Sequence, residues 1–369
     1  MRNDKLPAPL SSESSTLIVS LMTTLPGRST PAVQPDRPEA TPAQNLVTIL
    51  VSWWLMIGIF IDGWAHNTLG EELETFFTPW HAVFYSGYLV TALWIGSLVW
   101  RRWREGRRGL SAVPVGYGMA LLGIPVFAFG GVGDMLWHIA FGIEVGIEAL
   151  LSPTHLLLFL GAELIAVSPL VASWRARTSR KAPAANVWPA VLSATAALSF
   201  ASFMNMYLWA LYRVPQGYGE NASSGDLASI LLTAVMLAAP VLLLVKRWQL
   251  PFGAVTVLYG VNSALMIVLA PWLGDARWRV LLVGLVAGFL TDVLIAVLRP
   301  SPKRTVELRI FATALPLTVW LPYLGGAQAL GLLSISLELW LGVCVMAALG
   351  GLALSGLIVP PALPSEAEG

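Results

Sequence analysis

The feature that most constrains this chain is a series of long apolar runs, each bounded by charged residues or by Gly and Pro. A helix needs about 20 apolar residues to cross the hydrocarbon of a bilayer. Unbroken apolar runs of that length favour helices, because a helix closes its backbone hydrogen bonds within the segment. We therefore predict an all-α polytopic membrane protein with about ten transmembrane helices, near residues 45–66, 78–100, 112–139, 152–173, 188–212, 227–245, 250–272, 278–298, 306–327 and 331–358.

Composition excludes several other classes of protein. Only 12% of the 369 residues are charged and 56% are hydrophobic, whereas soluble domains carry about 25% charged residues. This excludes a water-soluble enzyme and a disordered chain, and the net charge of +1 offers no basic field for nucleic acid. The single cysteine, Cys344, excludes a disulfide framework and a thiolate zinc cluster.

The positive charges predict the orientation of these helices. Nineteen of the 22 Lys and Arg residues fall in the N-terminal tail or in alternate loops, and only Arg213, Arg277 and Arg279 lie on the other side. Because positively charged loops stay in the cytoplasm, we expect both termini to be cytoplasmic. The loops 67–77 and 140–151 are then external, and both are acidic.

All four histidines of the chain lie in two copies of one pattern, D-x3-H … E-x3-[ST]-P-x-H. The copies are offset by 72 residues at the aspartate and by 74 at the last histidine. Both copies span a predicted hairpin that starts and returns inside. We therefore predict a tandem helical-hairpin repeat in the first four helices, related by an axis along the membrane normal. The shared residues are Asp62, His66, Glu74 and His81 in the first copy, and Asp134, His138, Glu148 and His155 in the second.

The spacing of these residues indicates metal ligands. Asp and His four residues apart project from one face of a helix. Thr-Pro and Ser-Pro are typical of a helix cap with proline at the first helical position, so the last histidine falls in the first turn of the returning helix. Two histidines and a carboxylate suit copper, zinc or iron. The predicted ligands are Asp62, His66 and His81, and Asp134, His138 and His155.

Other readings of the polar residues stay open at this point. A single histidine near a helix end is more often interfacial than a ligand, but a carboxylate near hydrocarbon usually faces a polar interior. Glu74 and Glu148 are predicted to be extra ligands or partners of a histidine N–H. Glu163 either lines the same cavity or relays a proton, or it makes an interhelical hydrogen bond. The two ligand sets form either one dinuclear centre or two mononuclear sites.

The first copy also carries a family resemblance. The stretch Asp62-Gly-Trp-Ala-His66 … Phe77-Thr78-Pro79-Trp80-His81 resembles the membrane copper-site motif of the C subunit of particulate methane and ammonia monooxygenases. In that family D-x3-H is followed by F-T-P-x-H and, further along the chain, by N-x3-H … H. The second copy falls where this second site is expected, but Asp134 replaces the asparagine. The resemblance covers residues 45–212.

The resemblance implies a copper-binding subunit of a membrane monooxygenase that oxidises a small apolar substrate with O2. Its partners would be the lipid bilayer, monooxygenase-like subunits or further copies of itself, and a quinol or electron-donor protein. We expect it in a bacterial cytoplasmic membrane, with its metal sites toward the outer face. Non-enzymatic copper or zinc binding, storage or transport is the alternative, and a metal-dependent membrane hydrolase is less favoured.

The sequence also predicts how the chain is divided. Residues 1–44 are rich in Pro, Ser and Thr and are predicted to be a disordered cytoplasmic tail, as is the segment 359–369. Residues 45–212 form the predicted metal-binding membrane domain. Residues 227–358 contribute additional membrane helices to which the sequence assigns no role.

Overall fold

The structure, a computed structural model, is all-helical in the part of the chain that it describes, and contains no strand there. This confirms the predicted all-α class. The chain divides into two units, Met1–Arg37 and Pro38–Gly369, and every helix reported below lies in the second. The first helix starts at Pro42, inside the segment 1–44. The described residues are 37–69, 76–142, 146–212, 224–333 and 336–360.

Nine stretches of the described chain are helical, long enough and apolar enough to cross a membrane. Two of them consist of consecutive helices, α5 with α6 and α11 with α12. In chain order the helices are α1 (Pro42–Leu69), α2 (Pro79–Arg104), α3 (Gly118–Phe141), α4 (Ile147–Leu151), α5 (Pro153–Ala166), α6 (Ser168–Arg175), α7 (Ala184–Met204), α8 (Ser224–Arg247), α9 (Ala254–Val268), α10 (Arg277–Leu298), α11 (Thr305–Ala314), α12 (Leu317–Ala329) and α13 (Leu337–Ile358).

The prediction of a membrane-length helix over 250–272 is wrong in its length. Helix α9 has 15 residues, which at 1.5 Å per residue is about 22 Å. The apolar run is interrupted by Pro271, which has no backbone N–H and disfavours helical geometry at the residue before it. Ala270 accordingly leaves the helical region, and a 3-10 turn, Pro271–Ala276, leads into α10.

Helix α9 nevertheless runs from one end of the helical bundle to the other. The Arg180 guanidinium donates to the carbonyl of Val245 in α8 (2.6 Å) and to that of Pro300 just after α10 (2.8 Å), so α8 and α10 end at the same level. Helix α10 starts at the opposite end of the bundle. The segment between the end of α8 and the start of α10, which contains α9, must therefore run the length of the bundle. At that opposite end, Asn67 donates to the carbonyl of Leu269 (2.8 Å). The described chain therefore makes ten crossings.

The two ends of the bundle differ in charge. The end that carries the loops 105–117, 176–183, 248–253 and 299–304 is called the basic end. The backbone N–H of Val115 donates to Pro38 (2.9 Å) just before α1. Lys246 donates to the carbonyl of Ile358 at the end of α13 (2.7 Å). The described chain therefore both begins and ends at the basic end.

Close contacts between glycines and backbone hold two hairpins together. Helix α1 packs along α2, and α3 packs along α5. A Cβ added to Gly87 would lie 2.6 Å from the backbone nitrogen of Leu55, and one added to Gly161 would lie 2.6 Å from that of Phe127. Small residues of this kind let helix backbones approach closely where hydrophobic driving force is absent. The ends of each hairpin are therefore held side by side.

Asp292 shows how the bundle accommodates a buried carboxylate. Its side chain, on α10, is almost completely buried. It accepts hydrogen bonds from the backbone N–H groups of Val255 (3.1 Å) and Thr256 (2.9 Å), and from the Thr256 hydroxyl (2.7 Å). These are N–H groups that the first turn of α9 cannot satisfy internally. Asp292 therefore caps α9 from a neighbouring helix.

We expect Asp292→Ala to destabilise the protein by roughly 2–3 kcal/mol, because it removes a charge-assisted cap and leaves buried N–H donors unsatisfied. Thermal unfolding of the detergent-purified protein measures the effect. Asp292→Asn should cost less because one acceptor oxygen remains. The exposed Asp275→Ala serves as a control with no expected effect. Equal melting temperatures for Asp292→Ala and the control would refute the capping role.

Candidate metal centre

Two groups of side chains form at the end of the bundle opposite the basic end, called here the histidine end. The first group comprises Asp62 and His66 from α1 and His81 from α2. The second group is formed in the same way by α3 and α5. In each group, one ligand atom from each side chain lies within 4.8 Å of the others. The second group comprises Asp134, His138 and His155. The structure therefore brings the three predicted ligands of each group together.

In the first group the carboxylate of Asp62 lies between two imidazoles. Its Oδ2 is 3.7 Å from His66 Nε2, and its Oδ1 is 3.4 Å from His81 Nε2. His66 follows Asp62 by one turn of the same helix, as the sequence predicts. The third side chain comes from the returning helix of the hairpin. All three ligand atoms consequently converge on one point between the two helices.

The second group has the same arrangement. Asp134 Oδ1 is 3.6 Å from His138 Nε2 and 3.2 Å from His155 Nε2. This group is more deeply buried than the first, because the Asp134 side chain is 1% exposed whereas that of Asp62 is 16% exposed. Thr154 adds a hydrogen bond from its hydroxyl to Asp134 Oδ1 (3.2 Å).

Helix caps fix the last histidine of each group. The backbone N–H of His81 donates to Thr78 Oγ1 (3.1 Å), and that of His155 donates to Ser152 Oγ (3.3 Å). A proline follows each capping residue at the start of the helix. The predicted Thr-Pro and Ser-Pro caps are therefore confirmed. They place both histidines in the first turn of α2 and α5, facing the preceding helix of the hairpin.

Three of the four histidines use Nδ1 in a hydrogen bond and turn Nε2 toward an aspartate. His81 Nδ1 donates to the carbonyl of Phe76, and His138 Nδ1 donates to that of Gly142 (3.2 Å). His155 Nδ1 pairs with Ser152 Oγ (2.7 Å). A carbonyl can only accept, so in His81 and His138 the Nδ1 carries the proton. Their Nε2 lone pairs are then available to an ion, as in protein metal sites.

Two buried polar atoms of the second group lack a hydrogen bond. Neither Asp134 Oδ2 nor His138 Nε2 has a hydrogen-bond partner in the structure. Buried polar atoms are nearly always paired, and leaving one unpaired costs about 1–3 kcal/mol. A cation between these two side chains would satisfy both atoms at once. The residues present therefore fit a metal ion.

The two groups are neighbours. The ring centroids of His81 and His138 are 6.2 Å apart. The ring of Phe76 lies close to both, at 4.8 Å from His81 and 6.1 Å from His138. Asp62, His66, His81, Asp134 and His155 border the same cavity of about 390 Å³. Among the described histidines, those within 4 Å of each aspartate carboxylate belong to the same group as that aspartate.

The cavity is largely apolar beyond the ligands, and part of its lining comes from outside the two hairpins. Phe200 and Phe203 come from α7, and Trp272 comes from the turn after α9. Met204 and Met206 also border the cavity. In the sequence, Met204-Asn205-Met206 is the signal for this segment, because its thioether and amide groups suit Cu(I). Nothing local in the sequence connected Trp272 with the histidines.

The structure does not place the three predicted glutamates at the two groups. Glu163 lies on α5 but does not border the cavity, and its Oε2 is buried without a hydrogen bond. Glu74 lies outside the described residues. Glu148 lies in the short helix α4, and its side chain is outside the described part of the chain. The predicted roles of these three residues stay predictions.

The different burial of the four histidines predicts different reactivity. Residues His81 and His138 are 4% and 7% exposed, whereas the side chains of His66 and His155 are 19% and 22% exposed. In metal-free protein, diethylpyrocarbonate should modify the latter two several-fold faster, because it must reach a ring nitrogen. Peptide mass spectrometry measures each rate. Equal rates at all four positions would contradict this geometry.

Comparison of the chain with protein-family models, with curated proteins and with solved structures gives no match. Family membership therefore does not supply a function. What the protein does has to be inferred from the two groups of side chains and from the cavity that they share.

Proposed function

We propose that this protein is a membrane metalloprotein in which each group binds one transition-metal ion, copper foremost. The observation that carries the proposal is the pair of matched sets, each with two imidazoles and one carboxylate converging within 4.8 Å. Imidazole and carboxylate oxygen suit copper, with zinc and iron as alternatives. The Nδ1 hydrogen bonds and the unpaired atoms Asp134 Oδ2 and His138 Nε2 support the same conclusion.

The contacts favour two mononuclear sites over one shared centre. A dinuclear centre is commonly built around bridging carboxylates. Here Asp62 contacts His66 and His81, whereas Asp134 contacts the histidines of the second group. No side chain is common to the two groups. The ions would be close neighbours in one cavity, each with its own carboxylate.

We further propose that the two hairpins are copies of one unit. Their packing has the same register. In each hairpin a glycine six residues after the last histidine packs against the residue seven positions before the aspartate, Gly87 on Leu55 and Gly161 on Phe127. A second glycine, four residues before the aspartate, packs against the residue three after the last histidine in both hairpins: Gly58 on Phe84 and Gly130 on Leu158.

The resemblance to copper monooxygenase C subunits and the apolar cavity support an oxidative function. When bound, copper would supply the chemistry that activates O2. Phe127, Leu158 and Phe200 would bind and orient a small apolar substrate and exclude water from the ligands. Electrons would come from a quinol or a partner protein, and further subunits or copies of the chain would complete the enzyme. Glu163 is the proposed proton-relay residue, with Glu74 and Glu148 as proposed partners of the ligands.

A non-enzymatic role is the second candidate. A protein that acquires or stores copper or zinc needs the ligands but no substrate cavity. A transporter should carry ligands at several depths, and the six described here lie at one end of the bundle, which argues against transport. A metal-dependent hydrolase would use zinc to activate water, and the apolar lining of the cavity favours it less.

We propose that the basic end faces the cytoplasm and the histidine end faces outward in a bacterial cytoplasmic membrane. The distribution of Lys and Arg supports this orientation, and so does the position of both described chain ends at the basic end. The metal sites would then be accessible from the outer side of the membrane.

Metal analysis of detergent-purified protein tests the two-site proposal. After loading with copper, the wild-type protein should hold two ions per chain by inductively coupled plasma mass spectrometry. His66→Ala and His138→Ala should each lower this to one, because each removes a ligand from only one group. The double variant should hold none.

Asp275→Ala, outside both groups, is the control and should hold two ions. Absence of bound copper, zinc and iron from loaded wild-type protein would overturn the metal proposal. Loss of both ions from either single variant would instead show one shared centre.

Oxygen consumption distinguishes oxygenase from storage. With a quinol and a short-chain hydrocarbon, copper-loaded wild-type protein, with partner subunits if they copurify, should consume O2 and form an alcohol. The rate should fall at least tenfold in His138→Ala, because the ion of one site is lost. Tight copper binding with no substrate-dependent O2 consumption would favour storage.

A further inference from the structure

A second cavity lies at the basic end, far from the histidines. It has a volume of about 680 Å³ and is bordered by the loop before α7, the turn after α8 and the segment between α10 and α11. The two cavities lie at opposite ends of α7, because Met204 at its last residue borders the first cavity and Lys181, three residues before its start, borders the second. Among the described residues, no carboxylate borders the second cavity. Four cationic residues do: Arg180, Lys181, Arg299 and Arg304.

Hydrogen bonds to backbone carbonyls fix the Arg180 side chain at this cavity. Its guanidinium donates to the carbonyls of Val245, Lys246 and Pro300, at 2.6, 2.8 and 2.8 Å. Partial burial lowers the pKa of Arg180, as desolvation of a cation does. These carbonyls accept three hydrogen bonds from a group with five N–H donors, and they carry no full charge. A bound anion would offset the desolvation of this guanidinium.

Arg299 borders the same cavity with an unusual backbone. It has a φ of 47°, and it is the one residue other than glycine with a positive φ in the described chain. This left-handed conformation costs about 1–2 kcal/mol for a residue with a Cβ, and such strain concentrates at functional sites. Glycine or asparagine would end α10 with less strain, whereas arginine adds a positive charge at the cavity.

Trp248 adds an unsatisfied donor. It is 1% exposed and borders the cavity. Its indole Nε1–H has no hydrogen-bond partner in the structure, although buried indole N–H groups usually find one. A ligand with acceptor oxygens in this cavity would satisfy that donor as well as the cations.

The rest of the wall is mostly apolar. Leu250, Ile295 and the exposed Ala296 border the cavity, and the polar residues Gln249 and Ser301 also line it. Arg304 is partly neutralised, because its Nη2 is 2.7 Å from Glu307 Oε1. Among the described residues, the cavity therefore combines three cations without a carboxylate partner at the cavity, an indole donor without a hydrogen bond and a mostly apolar wall.

We propose that this cavity binds a phosphate group, and that its apolar wall favours the headgroup of an anionic phospholipid over free phosphate. Basic pockets between transmembrane helices at the cytoplasmic side are suited to such headgroups. The phosphate oxygens would accept from Arg180, Lys181 and Arg299 and from the Trp248 indole. The acyl chains would follow the surface of α10 beside Ile295. The site is independent of the metal groups.

Native mass spectrometry of delipidated full-length protein tests this proposal. The probes are dioleoyl phosphatidylglycerol, dioleoyl phosphatidylcholine and inorganic phosphate. The double variant Lys181→Gln/Arg299→Asn removes two charges, and asparagine tolerates the left-handed conformation. The control, Arg102→Gln/Arg104→Gln, removes two charges from the end of α2, away from the cavity. We expect wild-type and control proteins to retain phosphatidylglycerol about tenfold more tightly than the double variant does.

Trp248→Phe gives an independent measurement because it removes only the indole N–H. It should weaken phosphatidylglycerol retention a few-fold. If the double variant fails to fold, this variant alone tests the proposed site. Retention of inorganic phosphate by wild type but not by the double variant, without lipid preference, would support a phosphate site with a soluble ligand. Two results would overturn the proposal. One is that wild-type protein retains phosphatidylglycerol and phosphatidylcholine equally and does not bind phosphate. The other is that wild type and all variants retain phosphatidylglycerol equally.

Discussion

Two carboxylates in an apolar bundle, Asp62 and Asp134, are the constraint on which the histidine end depends. A carboxylate in a membrane-spanning helix is costly and needs a polar or cationic partner. Each of these two lies between two imidazoles, 3.2–3.7 Å from their Nε2 atoms. The hairpin contacts and helix caps serve this arrangement, because they bring a histidine of the returning helix opposite the aspartate. A metal ion in each group would balance the charge and satisfy the unpaired ligand atoms.

Local sequence rules predict much of this arrangement. Asp62 and His66 face the same way because they are one helical turn apart, and Thr78-Pro79 places His81 in the first turn of α2. Helix α9 was predicted too long because hydropathy alone does not register that Pro271 ends it. The proximity of His81 to His138 follows from packing between two hairpins, which no spacing within either one encodes. Trp272 reaches the cavity through contacts between residues about two hundred positions apart, which a single sequence does not reveal.

Residues 227–358, to which the sequence assigns no role, contribute at both ends of the bundle. At the histidine end, Trp272 in the turn before α10 borders the cavity, beside aromatic side chains of α7. At the basic end, the turn after α8 and the segment after α10 surround Arg180. Asp292 of α10 binds the first turn of α9 near the basic end. The second half of the chain therefore borders the cavity of the proposed metal sites at the histidine end and surrounds Arg180 at the basic end.

Electron spin echo envelope modulation of the copper-loaded protein tests the central claim most directly, because it detects the remote nitrogen of a coordinated imidazole. If each ion is held by two histidines through Nε2, the spectrum will show two remote Nδ1 couplings per Cu(II), and His81→Ala will remove one coupling from the first site only. Copper bound without any imidazole coupling, or unchanged spectra in the His81→Ala and His155→Ala variants, would contradict the account.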